Sequence, residues 1–327
     1  MDPLKALQPD ALRTRFEEMG LPGYRADQVL QWMWQHGVES FEAMTNLPAA
    51  LRDTLAGQTA VGGLDLIKMS ESADGTLKCL FATGREGSPP VEAVLIPDFY
   101  PDGAANRLTV CVSSQVGCLF GCAFCATGRM GFFRNLEAWE IADQIRILNG
   151  LSLDRYGKKI TNVVYMGMGE PLNNLRAVLG SVDLLTHRHA IGLSPRRITV
   201  STVGLAKQIR QIADAGAEFN LAVSLHAADD EKRNRIMPIN HTLDLQALES
   251  ALRHYHERRG KPVTYEYLLF DSFNDGTDDA RRLAGITRWV PSKVNIIMYN
   301  RVAGVTLRRA RETRLDAFMK VLVREGV

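Results

Sequence analysis

The sequence predicts an α/β protein: a partial, parallel (β/α)6-type barrel preceded by a small helical N-terminal domain. Three observations predict it. From about residue 108 onward, short β-branched runs alternate with amphipathic stretches of helix length, the rhythm of parallel β/α units in a barrel or an open sheet. The polar motifs follow the β runs, at the strand ends where such folds gather their working residues. The first 60 residues carry helical spacing and turns instead.

Each element has its own signal. Val29, Trp32 and Met33 recur at helical spacing within residues 25–37, and Gly37 can end that helix. Pro48 suits the first turn of a second helix around residues 51–55. Residues 64–98 read as a few strands with Asp74-Gly75 as a turn, and 97–105 as a Pro-, Gly- and Asp-rich loop. The β runs of the barrel are 108–112, 160–165, 197–202, 219–224, 263–270 and 293–298. Helical patterns separate them, as at 136–148, 175–187 and 243–257. The chain therefore divides into a helical appendage (1–60), a strand-rich connector (61–107) and the barrel (108–327).

Composition excludes little. The 327 residues are 46% hydrophobic and 23% charged, with a formal net charge of +2, which leaves room for a local basic patch and a nucleic-acid partner. No apolar run approaches the roughly 20 residues that span a bilayer, and the N-terminus lacks a secretory pattern. A cytoplasmic monomer with no membrane partner is the expectation.

Cysteine usage is more telling. Four of the five cysteines lie within 15 residues, from Cys111 to Cys125, which suits metal or redox chemistry better than a disulfide framework. Cys118, Cys122 and Cys125 are spaced Cys-x-x-x-Cys-x-x-Cys. Structural zinc takes four ligands, often as two separated pairs, and no second pair completes such a site here. Three soft thiolates match a 4Fe–4S cluster with one iron left open. That iron can chelate the amino and carboxylate groups of S-adenosylmethionine, whose one-electron cleavage gives a 5′-deoxyadenosyl radical. A zinc site or a buried apolar cysteine cluster is the competing reading. Phe124, beside the last cysteine, can limit solvent access to the loop.

The segment 166–174, MGMGEPLNN, follows a β run. Gly167 and Gly169 allow close backbone approach, and Glu170 offers an acceptor to an ammonium or ribose group; a plain β-to-α turn is the rival. Ser201 and Ser224-Leu225-His226 end later runs on the same rim, where a helix cap or a satisfied core group is the rival. Cys79 reads as core, and the histidine pairs 187/189 and 254/256 as surface groups.

These residues resemble the RlmN family. The resemblance rests on CVSSQVGCLFGCAFCATGRMGFFRNL, GMGEPLNN, ITVSTVG, LAVSLHA and VTYEYLLFDSFND, and runs from about Gly23 to the end. It implies a radical S-adenosylmethionine barrel that methylates C2 of adenine in 23S rRNA and, for many members, tRNA; the relative Cfr acts at C8. It implies cluster ligation by Cys118, Cys122 and Cys125, and S-adenosylmethionine contacts from Gly169, Glu170, Ser201, Ser224, Leu225, His226 and Asn300. Glu92 matches a proton acceptor, and Cys111 a cysteine that resolves an RNA–protein adduct; by its chemistry alone, Cys111 is equally well a small buried hydrophobe. RNA and an external one-electron donor are the implied partners, with the N-terminal helices binding RNA. Arg129, Arg134, Arg188, Arg196, Arg197, Arg308 and Arg309 could meet phosphates, although a solvated surface charge is the commoner role.

One departure stands out. The family carries a methyl-accepting cysteine near its C-terminus, whereas this sequence has none after Cys125. Gly326 reads as a helix cap and Val327 as the start of a further strand. The expectation is a shortened sequence, or a paralogue without methyl transfer acting on another substrate. Either would bind the cluster and S-adenosylmethionine without methylating RNA. A non-catalytic iron–sulfur RNA-binding protein is the remaining alternative.

Overall fold

The computed structural model describes residues 3–84 and 87–327. Three helices come first: α1 (Pro9–Glu18), α2 (Tyr24–Trp34) and α3 (Ala49–Gln58). Four strands follow: β1 (Asp65–Glu71), β2 (Leu77–Ala82), β3 (Val91–Phe99) and β4 (Ala105–Cys111). Next come β5 (Gln115–Gly117), α4 (Ala126–Met130), β6 (Phe132–Asn135), α5 (Ala138–Tyr156), β7 (Asn162–Tyr165) and α6 (Leu175–Thr186). The chain continues through β8 (Ile198–Thr202), α7 (Ala206–Asp214), β9 (Asn220–Ser224), α8 (Asp230–Ile236) and α9 (Leu245–Arg259). It ends with β10 (Val263–Leu269), α10 (Thr277–Ile286), β11 (Ser292–Met298) and α11 (Glu312–Arg324). The six expected β runs are thus β4, β7, β8, β9, β10 and β11.

The chain divides into two compact units. The first comprises the stretches up to Val116, Arg134–Met168 and Asn174–Ile198; the second comprises Gly117–Phe133, Gly169–Asn173 and Thr199–Val327.

In the first unit β1 to β4 form an antiparallel meander, and β4 pairs in parallel with β7, Thr109 against Asn162 and Cys111 against Val164. The Asp74-Gly75 turn joins β1 to β2, with Asp74 accepting from Thr76 N–H at 3.0 Å. The expected loop at 97–105 is corrected in part, because β3 runs on through Pro97 to Phe99. Proline is tolerated there because β3 has left β2 behind: its last partner on that side is at Leu95, and Pro97 faces only Leu108 of β4.

The N-terminal helices do not bury their apolar faces alone. Phe16, Val29, Met33, Trp34 and Leu55 share one core with Ala142 of α5 and with Leu184 and Ala190 around the end of α6. A buried charge centre fastens the same region. Lys5 Nζ lies 2.8 Å from Asp143 Oδ1 with both side chains fully buried. Arg146 also binds Asp143, and Leu64 N–H donates to its other oxygen at 2.8 Å. Burial works against the Asp143 carboxylate, but Lys5 and Arg146 overcome it and hold its pKa below the ordinary value.

The second unit carries the parallel strands β8, β9, β10 and β11 in that order. The end of α11 corrects the strand expected at Val327. Gly326 has φ +82°, its N–H donates to Val323 O, and Val327 N–H donates to Leu322 O at 3.0 Å. Those two bonds satisfy carbonyls that a helix end otherwise leaves open.

Replacing Asp143 with alanine strands the buried Lys5 ammonium, while Arg146 keeps Glu39 and Gly37 O as partners, and is expected to cost about 3–5 kcal/mol of stability in chemical unfolding. Lys5→Met leaves Asp143 paired with Arg146 and should cost less. Because the Asp143 pKa is depressed by folding, its contribution is present above the unfolded carboxyl value of about 4 and fades as pH falls below it. Asp143→Ala should therefore flatten the acid limb of a stability profile.

Candidate active site

The cysteine loop lies in the second unit, between β5 and α4, and its backbone is held at both ends. Cys118 N–H donates to Gly131 O at 2.9 Å, and Ala123 N–H to Ile236 O of α8 at 2.9 Å. Gly117 starts the loop at φ +75°, where a Cβ would fall 1.9 Å from Gly131 O; only glycine fits that approach. Phe124 packs its ring edge-on to His226 at 4.8 Å and tilted against Phe270 at 5.8 Å. Cys122 is buried and packs with Ile236, Met237 and Tyr299, while Cys118 and Cys125 are half-buried.

All three thiols are unbridged. Burial pushes Cys122 up to about 12 and raises Cys118, and in both cases the neighbouring ligand thiols add to the rise. Among the described residues, however, no three His, Cys, Asp or Glu side chains gather around a single point as ligands of one ion. The soft donor set and its spacing fit a 4Fe–4S cluster.

The strand ends of the same unit supply the rest. Gly169 has φ +96°. Glu170 is 2% exposed, and its two oxygens accept from Leu172 N–H at 3.0 Å and Val203 N–H at 2.8 Å. Burial lifts it to about 7 against those hydrogen bonds. Its position is thus fixed by the backbone before any ligand arrives. Ser201 pairs with Ala222, and Ser224 with Glu266, across parallel register. Paired residues share a face, and so do residues two apart on a strand. Ser201, Ser224 and Glu266 therefore look the same way, and Asn295 joins them by donating to Glu266 at 2.7 Å.

After Ser224 the chain turns sharply. Leu225 and His226 N–H both donate to Glu266 O, at 3.0 and 3.2 Å, and His226 adopts φ +55°. A histidine with positive φ is uncommon and worth about 1 kcal/mol or more in strain; here two backbone bonds hold it. Its Nδ1 accepts from Leu268 N–H at 3.2 Å, so the proton of the neutral ring is on Nε2. Burial, and then Arg233, press its pKa down to about 3. Leu225 is buried, while Asn300, just past β11, is exposed.

The other two candidates belong to the first unit. Cys111 ends β4 opposite Val94 of β3, so Glu92, two residues from Val94, shares its face. Ser113 Oγ donates to Glu92 O at 2.5 Å and fixes that register. The Glu92 carboxylate is partly exposed and pairs with Lys78 at 2.8 Å. Burial raises the Cys111 thiol to about 11. Cys79 is fully buried core, also raised to about 11.

The arginines separate by environment. Arg134 forms a two-point pair with Glu140, at 2.8 and 2.7 Å, which ties it to the start of α5. Arg129 donates to Ala303 O at 2.8 Å and braces the segment after β11. Arg188, Arg196, Arg197, Arg308 and Arg309 are exposed. Two residues escaped sequence reasoning. Glu266 had a signal, a lone carboxylate inside an apolar β run. Arg233 had none, since DDEKRNRI reads as a solvated charge run, yet it is 1% exposed.

Comparison with known proteins accords with this geometry. Residues 3–61 match the family described as the ribosomal RNA large subunit methyltransferase N-terminal domain, and residues 112–284 the radical SAM superfamily. A probable dual-specificity RNA methyltransferase RlmN of Salinibacter ruber is 48% identical over 99% of this chain and 88% of its own length. One from Thermus thermophilus is 42% identical over 95% of this chain and 85% of its own. The crystal structure of a radical SAM methyltransferase from Sphaerobacter thermophilus, 38% identical, covers all of this chain and 94% of its own with a TM-score of 0.92. The chain belongs to the RlmN family of the radical SAM superfamily.

Proposed function

We propose that this protein serves C2 methylation of adenine in 23S rRNA and in tRNA by radical S-adenosylmethionine chemistry. The relatives' names favour this over a paralogue on another substrate or a non-catalytic RNA-binding protein. Residues 1–327 alone are expected to bind the cluster and S-adenosylmethionine but not to transfer the methyl group. One observation carries the reading: three unbridged thiols at Cys-x-x-x-Cys-x-x-Cys spacing share a unit with Glu170, Ser201 and Ser224–His226. The N-terminal family match and the relatives' names direct that chemistry to RNA. Cys118, Cys122 and Cys125 would hold the 4Fe–4S cluster, which with S-adenosylmethionine would supply a radical for hydrogen abstraction; the methyl group would travel on a further cysteine, and the sequence has none after Cys125. Gly169, Glu170, Ser201, Ser224, Leu225, His226 and Asn300 would bind S-adenosylmethionine. Glu170 suits its ammonium group, since a carboxyl poised near neutrality ionises readily beside a cation.

Cys111 and Glu92 would act on the RNA. A thiol held near 11 is almost wholly protonated at neutral pH and needs a base to attack. Glu92, on the same face, would accept protons as the methylated adenine is released. The N-terminal helices and the exposed arginines would bind RNA. A cytoplasmic monomer served by an external one-electron donor completes the reading.

Mass spectrometry of rRNA and tRNA from cells with and without the gene tests it directly. The expected result is 2-methyladenosine only where the gene is present; unchanged levels in both would overturn the assignment. Protein purified anaerobically should bind about four irons per chain, and Cys122→Ala should abolish that iron. Stoichiometric zinc in place of iron would sink the cluster assignment. RNA affinity should fall as salt rises, because phosphate contacts release counterions. Replacing Arg308 and Arg309 together with alanine should weaken binding about equally across sequences and lower the salt slope by about one per lost contact.

A further inference from the structure

Arg233 lies at the base of the cysteine loop, and no assigned role uses it. Its guanidinium donates to Val203 O at 2.7 Å, Leu225 O at 3.2 Å, Ser224 O at 3.4 Å and Asn240 Oδ1. All four partners are neutral oxygens. An arginine 1% exposed without a carboxylate in hydrogen-bond contact is costly unless another negative charge lies nearby. α8, which carries Arg233, also meets the cysteine loop. Ile236 O accepts from Ala123 N–H, and Cys122 packs on Ile236 and Met237. Asp230, whose carboxylate accepts from Asn240 Nδ2 at 2.8 Å, is an anion that acts on Arg233.

We propose that Arg233 is a positioning residue with two effects: its fork fixes the strand ends at Val203 and Ser224–Leu225, and its permanent charge on the helix that meets the cysteine loop sets the reduction potential of the cluster. The inference rests on the cluster assignment above. Three thiolates make the site net negative, and reduction adds another negative charge. A fixed buried cation favours the reduced form, because net charge and burial are among the main determinants of iron–sulfur potentials. Guanidinium suits this task, since it keeps its proton and offers several donors in one plane. The same charge disfavours protonation of His226 and so keeps that ring neutral.

The test is a redox titration of anaerobically iron-loaded protein, followed by electron paramagnetic resonance, with S-adenosylmethionine affinity measured alongside. Arg233→Gln should shift the potential to more negative values with iron content retained. Arg233→Lys should keep the potential near that of the parent protein while weakening S-adenosylmethionine binding, because the charge stays and the fork is lost. Asp230→Asn keeps an oxygen acceptor for Asn240 and for Leu245 N–H but removes an opposing charge, so it should shift the potential to more positive values. A structural role alone would not move the two potentials in opposite directions. If Arg233→Gln does not fold, Asp230→Asn decides. Iron-loaded protein whose potential is unmoved in Asp230→Asn, or shifts the same way in both variants, overturns this inference alone. Parent protein that takes up no iron overturns the cluster assignment and this inference with it.

Discussion

A buried guanidinium organises the second unit. Arg233 joins the carbonyl ends of two parallel strands and Asn240 through one planar group. Parallel strands end with carbonyls directed outward, and those must find donors or water. Water is largely excluded where Phe124, Phe270 and Tyr299 pack together. A side chain with five donors and no acceptor answers that need better than any other. The electrostatic consequence follows from the same geometry, since a charge brought in to satisfy carbonyls adds to burial in keeping the His226 ring neutral. The first unit handles buried charge differently. There Lys5 and Arg146 face a carboxylate, Asp143, so the cluster of charges closes on itself and serves stability alone.

Parallel register then aligns the working residues. Ser201, Ser224 and Glu266 face one way because consecutive strands keep their pairing without a shift. Just beyond Ser224, Glu266 does two jobs: its carbonyl receives two N–H groups, and its carboxyl receives Asn295. The first forces His226 into positive φ and aims its ring at Phe124.

Sequence made the repeating part of this architecture visible. Period-two runs and helical spacing depend on burial of whole faces, which leaves a pattern, so β8, β9 and β10 are legible. The three cysteines are legible because their spacing is short and their chemistry rare. What escapes the eye depends on contacts distant in the chain. Pro97 looks like a loop marker until β2 is seen to end two residues earlier on its side of β3. Val327 looks like a strand until its N–H is found on Leu322. The N-terminal helices look separable until Phe16 and Trp34 are seen in one core with Ala142 and Leu184. Arg233 is hidden for the strongest reason: local composition favours exposure, and only the strand ends around it explain burial.

The two cysteines outside the cluster loop show why environment, and not acidity, decides a thiol's use. Burial raises both Cys79 and Cys111 to about 11, so their readiness to form thiolate is alike. Their placement differs. Cys79 sits mid-strand on β2 with no exposed surface, so an attacking thiolate there would have no route to a substrate. Cys111 ends β4, keeps partial exposure, and shares its face with the Glu92 carboxylate. A weakly acidic thiol is inert in the first setting. In the second, partial exposure leaves it open to a base and a substrate.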